Sequence, residues 1–139
     1  MVYQAQVRVT SDLGKLNDLQ AWFRLICNRY GGSWTKLEEQ VYRLNLALVE
    51  GFTNAVRHAH AGRPCETAID VEVALDHRQV EIRIWDTGAP FNPETVEEPK
   101  PGTLRIGGYG WFLLRRLMDQ VTYNRSGDRN CLLMVKSLV

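Results

Sequence analysis

The sequence predicts an α+β protein, a two-layer α/β sandwich in which helices lie on one face of a mixed, mostly antiparallel sheet. Three observations carry that expectation. Short segments of β-branched and aromatic residues with period-two alternation recur along the chain. Longer stretches with helical apolar spacing precede, interrupt and follow them, without a regular βαβ alternation. At 139 residues and 45% apolar, the chain can build one ordinary core and is too short for two, so residues 1–139 read as a single domain.

The elements follow in order. Strands are expected at Val2 to Val9, Ala68 to Leu75, Val80 to Asp86, Gln120 to Asn124 and Leu132 to Lys136. Asp76, His77 and Arg78 form a connection short enough for a hairpin. Helices are expected from Leu13 to about Tyr30, from Trp34 to about His60, and from Gly108 to about Met118, the first ending at Gly31-Gly32.

Composition narrows the function classes. Lysine plus arginine (17) nearly balance aspartate plus glutamate (16), which disfavours nucleic acid and anionic membrane surfaces as partners. Cys27, Cys65 and Cys131 are odd in number, widely spaced and free of any C-x-x-C pair, against both a disulfide framework and a zinc site. MVYQAQVRV alternates and lacks the apolar core of a signal peptide, and no apolar run approaches the roughly 20 residues of a membrane span. The expectation is a cytoplasmic protein.

One segment is irregular. Ala89 to Ile106 holds Pro90, Pro93, Pro99 and Pro101 with an acidic cluster, Glu94, Glu97 and Glu98. Connections longer than about 12 to 15 residues are uncommon in compact domains, so this one reads as a lid at about 89–106 or as a surface insertion.

On the second helix, Val41, Leu44, Leu48, Phe52, Ala55 and Val56 fall within a stripe about 120° wide that faces a core. Glu50 lies on the opposite side, and Asn54 and His58 follow in steps of about 40°, forming a polar ridge. An Asn carbonyl suits Mg²⁺, which keeps several waters and binds through one or two protein oxygens plus phosphate, and a neighbouring carboxylate could accept a proton. The alternative is a solvated helix face.

In Val80-Glu81-Ile82-Arg83-Ile84-Trp85-Asp86, alternation turns Asp86 to the side of Val80, Ile82 and Ile84. A carboxylate aimed at a core must be hydrogen-bonded, paired or used on a ligand, and an exocyclic amine is a suitable donor; the alternative is an Asx turn. Gly88 then permits positive φ and the close approach of a flat ring. Further on, Gly107-Gly108-Tyr109-Gly110 feeds an amphipathic helix whose free N–H groups and dipole suit phosphate. The run lacks the third glycine and preceding strand of a dinucleotide fingerprint, and no Walker motif is present.

In this order, E-x-x-x-N-A-x-x-H on a helix, D-x-G after a strand, an irregular connection and G-x-G entering a helix resemble the Bergerat-fold ATPases, which include histidine kinases, gyrase B and mismatch-repair ATPases. The short form is most similar to the anti-sigma-factor serine/threonine kinases of bacterial partner-switching systems. That resemblance implies ATP and Mg²⁺ as cofactors, with Glu50 as general base and Asn54 as metal ligand. It implies nucleotide contacts from His58, Asp86, Gly88, Arg105, Gly108, Tyr109 and Gly110, with Asp86 on the adenine amine and Arg105 toward the γ-phosphate. Similar proteins carry Gly-Thr late in the chain, the threonine helping to bind adenine, where this sequence has Asn130-Cys131; Trp111 is also bulkier than its counterpart. The implied partners are an anti-sigma-factor antagonist, as phosphoacceptor, and a sigma factor. The helix Leu13 to Tyr30 is a candidate face for a homodimer or a partner, which exposed Trp22, Phe23 or Tyr30 would support. The alternative is a non-catalytic regulatory module of the same fold.

Overall fold

The structure, a computed structural model, describes residues 2–31, 34–90 and 109–139. Most of the expected lid, with Arg105 and Gly108, lies outside the described residues.

Strand β1 (Tyr3–Thr10) exposes Gln4, Gln6 and Arg8 and packs Tyr3, Ala5, Val7 and Val9 on the core, as its alternation requires. Asp12 then caps a 3₁₀ turn, Leu13–Lys15, its carboxylate accepting the Gly14 N–H at 2.9 Å. Helix α1 (Leu16–Gly31) buries Leu19, Phe23, Ile26 and Cys27, one apolar stripe at i, i+4, i+7 and i+8. Its aromatics serve this fold: Phe23 is fully buried, Trp22 packs on the core, and Tyr30 stacks on Tyr3 with ring centroids 3.3 Å apart. They therefore give no support to a partner face on α1.

Helix α2 (Thr35–Asn54) is the central element, packed against both α1 and α3. Its buried face is Leu37, Leu44, Ala47, Leu48, Gly51 and Phe52. The single helix expected to His60 instead widens after Asn54 into a π turn, Ala55–Ala59, closed by the His60 N–H on the Ala55 carbonyl at 2.9 Å. Gly51 is where the helix meets the sheet: a Cβ there would lie 2.7 Å from Ile84 Cδ1 and 3.0 Å from Leu132 Cδ2.

Strands β2 (Ala68–Leu75) and β3 (Gln79–Asp86) form the expected hairpin. Asp76 closes it by accepting the N–H groups of Arg78 (2.7 Å) and Gln79 (3.0 Å), bonds that also hold its carboxyl below the usual pKa. After α3 (Tyr109–Leu117), β4 (Gln120–Ser126) and β5 (Arg129–Ser137) pair through a turn in which Gly127 has φ of 63°.

The sheet order is β1-β2-β3-β5-β4, and every ladder is antiparallel, which narrows the expected mixed sheet. The core fills the space between one sheet face and the helices: Leu19, Phe23, Leu48, Phe52 and Leu114 meet Ile69, Val71, Val73, Ile82, Ile84 and Met134. Each such side chain contributes roughly 1.5–3 kcal/mol by leaving water. The opposite face is polar. There Arg8 pairs with Asp70 at 2.7 Å, Arg129 reaches Asp70 at 3.3 Å and stacks its guanidinium 4.3 Å over the Trp85 ring, and Trp85 donates to Glu72. Among the described residues no helix is long and apolar enough to cross a membrane.

Candidate nucleotide site

The C-terminal end of α2 carries the first half of the site. Glu50 and Asn54 stand one turn apart and are half-buried, because α3 begins directly against them. A Cβ on Gly110 would lie 3.1 Å from both Asn54 Nδ2 and Oδ1 and 3.3 Å from Glu50 Oε2. A Cβ there would press both side chains back by a few tenths of an ångström, so a glycine favours this close approach of the helix start. The polar ridge is thus no solvated face at these two positions. Among the described residues Asn54 Nδ2 is buried with no hydrogen-bond partner, as are Gln40 Oε1 and Asn45 Oδ1 on the same helix. A carboxamide oxygen beside a carboxylate, in a cradle that a Cβ on Gly110 would fill, fits a hydrated Mg²⁺ ion and its phosphate.

The second half forms at the end of β3. Asp86 is 2% exposed and faces the core side, as alternation requires. Its Oδ1 accepts the Gly88 N–H at 2.9 Å and Asn130 Nδ2 at 2.8 Å, while its Oδ2 accepts the Tyr123 hydroxyl at 2.6 Å. Asn130, 1% exposed, is directly opposite Asp86 in the β3–β5 ladder, and its Nδ2 also donates to the Gly88 carbonyl at 3.1 Å. Arg125 Nη1 donates to the same carbonyl at 2.8 Å. The Asx turn and the core-facing carboxylate, set as alternatives by the sequence, are both present in one side chain.

His60 joins the halves. It is buried at the close of the π turn, its Nε2 accepting the Thr87 N–H at 2.9 Å and its Nδ1 lying 3.1 Å from Ser11 Oγ. Since Nε2 accepts, the proton sits on Nδ1 and points at the serine. Burial lowers the His60 pKa, Asp86 raises it and Arg63 lowers it, and the first effect prevails. Burial also pushes the Tyr123 phenol well above its ordinary value, reinforced by its bond to the Asp86 carboxylate.

Gly88 corrects an expectation. It has no positive φ; the glycine is required because a Cβ would lie 2.3 Å from the Ala59 carbonyl oxygen, so the turn rests on the backbone of the π turn. His58 is exposed on that turn and makes no side-chain hydrogen bond among the described residues. Tyr109 is the first residue of α3.

Sequence reasoning missed His60, Tyr123 and Arg125, and treated Asn130 only as a departure. His60 could have been found as the second histidine at a helix end. Asn130 could have been found only through the register that sets it against Asp86. Cys131 occupies the opposite face beside Trp85 and takes no part.

Residues 9–136 match the model of the histidine kinase-like ATPase domain. The chain is similar to serine-protein kinase RsbW of Listeria monocytogenes, 34% identical over 104 residues that cover 69% of this chain and 63% of that protein. It is 37% identical to the RsbW of Oceanobacillus iheyensis over 109 residues, 71% of this chain and 65% of the relative. The matched region thus spans under two thirds of the length of both relatives. Among solved structures, the RsbU and RsbW domains of a Mycobacterium tuberculosis protein share the fold with a TM-score of 0.65 at 13% identity, covering 96% of this chain and 32% of that one. With the family model matched over residues 9–136, from the first strand to the last, the chain belongs to the histidine kinase-like ATPase domain family.

Proposed function

We propose that the chain is an anti-sigma-factor serine/threonine kinase: it binds Mg-ATP, phosphorylates an anti-sigma-factor antagonist protein and sequesters a sigma factor. The observation that carries this reading is the approach of Gly110 to both Glu50 and Asn54, which joins a carboxylate, a carboxamide and a helix start in one cradle. The names of the similar proteins, serine-protein kinases, support the same reaction class.

Each residue then has a task. Asp86 holds the exocyclic amine of adenine, and the turn through Gly88 flanks the base. Asn54 would hold Mg²⁺ through its carboxamide oxygen; the ion supplies charge neutralisation of the phosphates when bound. The first N–H groups of α3 stabilise negative charge that develops on the phosphoryl group. Glu50 accepts the proton of the incoming serine or threonine hydroxyl, and transfer proceeds by positioning and electrostatics.

The test is phosphate transfer from labelled ATP to a candidate antagonist. Glu50→Gln should keep nucleotide affinity while transfer falls roughly 10²- to 10⁴-fold. Asn54→Ala should weaken Mg-nucleotide binding itself. Binding without transfer by the wild type would reduce the chain to a regulatory module, and variants identical to the wild type would return the pair to plain helix surface.

A further inference from the structure

The arrangement around Asp86 bears on how the base is recognised, and rests on the nucleotide reading above. Oδ1 already accepts from Gly88 and Asn130, which fills both acceptor positions of that oxygen. Oδ2 has Tyr123 as its one donor among the described residues and keeps a single acceptor position. An amine that reaches Asp86 must therefore bind Oδ2, in contact with the tyrosine oxygen 2.6 Å away.

We propose that Tyr123 is a specificity-determining residue that reads the purine edge jointly with Asp86. Asp86 Oδ2 accepts from the exocyclic amine, while the Tyr123 hydroxyl turns its proton to the adjacent ring nitrogen. Adenine presents that order, a donor amine beside an acceptor N1. The amine takes the acceptor position that remains on Oδ2, the tyrosine proton turns to N1, and the two oxygens, 2.6 Å apart while that proton lies between them, separate as it leaves. Guanine presents the reverse, a carbonyl beside an N–H. Its carbonyl would face the carboxylate with two acceptors in contact, while its N–H would meet only the oxygen of a hydroxyl that still donates to Asp86.

Placement supports this role. Tyr123 pairs with buried Leu132 in the β4–β5 ladder and so lies on the helix-covered face of the sheet. Trp111, in the first turn of α3, packs edge-on against its ring with centroids 5.5 Å apart, holding the phenol beside the site. The raised phenol pKa keeps the hydroxyl a donor throughout the range in which the protein would be assayed.

The experiment measures binding of ATP, GTP and 1-deaza-ATP, which lacks the acceptor nitrogen, to the wild type and to Tyr123→Phe in the presence of Mg²⁺. The wild type should prefer ATP to 1-deaza-ATP by roughly three- to tenfold, the worth of one hydrogen bond. Tyr123→Phe should lose about that factor for ATP and nothing for 1-deaza-ATP, so the two ligands become equal. Thermal unfolding reports whether the variant folds; if it does not, the wild-type preference between the two ligands decides alone. Equal wild-type affinities, a loss in Tyr123→Phe that is the same for both ligands, or tighter ATP binding by the variant would overturn the proposal. A wild type that binds no nucleotide would instead remove the nucleotide reading, and this inference with it.

Discussion

Gly88→Ala tests whether the adenine-side turn is held by close contact with the π turn. An alanine Cβ would lie 2.3 Å from the Ala59 carbonyl oxygen, 2.8 Å from its carbon and 3.0 Å from Cα, all backbone atoms that cannot swing aside. Ordinary contact begins near 3.4 Å, so the two segments must separate by about 1 Å. The bonds across this seam have little room for that. Thr87 N–H to His60, which crosses to the π turn, is 2.9 Å, and Asn130, which ties the turn to β5, donates to the Gly88 carbonyl at 3.1 Å. A bond stretched by that amount passes the limit of useful geometry. Losing two of them, at about 0.5–1.5 kcal/mol each, with buried groups left unsatisfied, gives an expected cost of roughly 2–4 kcal/mol. Urea unfolding would measure it as a lower midpoint at unchanged slope, and nucleotide binding should fall at least about tenfold because Asp86 moves with the turn. A variant with wild-type midpoint and wild-type affinity would refute the reasoning, since it would mean that the turn accommodates the methyl group without moving.

Two further outcomes follow from the same geometry. His60 must be neutral to accept the Thr87 N–H, and its pKa is lowered in the fold from the ordinary 6.5. The unfolded chain therefore binds the proton more readily, so the stabilisation from this residue is complete above about pH 6.5 and declines as pH falls toward the folded-state pKa. Asp86 and Arg63 act on the same ring in opposite directions and remain in His60→Gln, so the unfolding midpoint of that variant should vary less between pH 7 and 5; equal slopes would exclude the role. At Gly51, alanine gains about 1 kcal/mol of helix propensity and meets Ile84 Cδ1 at 2.7 Å, an overpacking cost of about 1–3 kcal/mol. Ile84→Val removes that atom, so the double variant should be more stable than the sum of the single effects predicts, and strict additivity would show that the helix had simply shifted.

Local chemistry decided much of this protein. Alternation in Val80 to Asp86 set which side chains are buried and turned Asp86 to the core face, and Asp76 closed its hairpin with bonds to residues two and three positions away. Helical periodicity put Leu44, Leu48 and Phe52 in the core, and the Glu50–Asn54 spacing made a pair on one ridge. Period, turn chemistry and capping act over a few residues, so they are legible without a fold.

Tertiary structure decided what those groups meet. Gly110 reaches Asn54 because α3 starts against α2, at a sequence distance no motif spans. The aspartate takes Tyr123 and Asn130 as partners because the β3-β5-β4 order and its register bring positions 37 and 44 residues away to one carboxylate. The widened turn after Asn54 delivers His60 to Thr87 and leaves His58 exposed, although both histidines follow the same helix. The sequence by itself determined the elements and the chemical types they display. Only packing determined their partners, because the separation of a few ångströms on which a hydrogen bond or a missing Cβ depends is set by long-range register and helix approach.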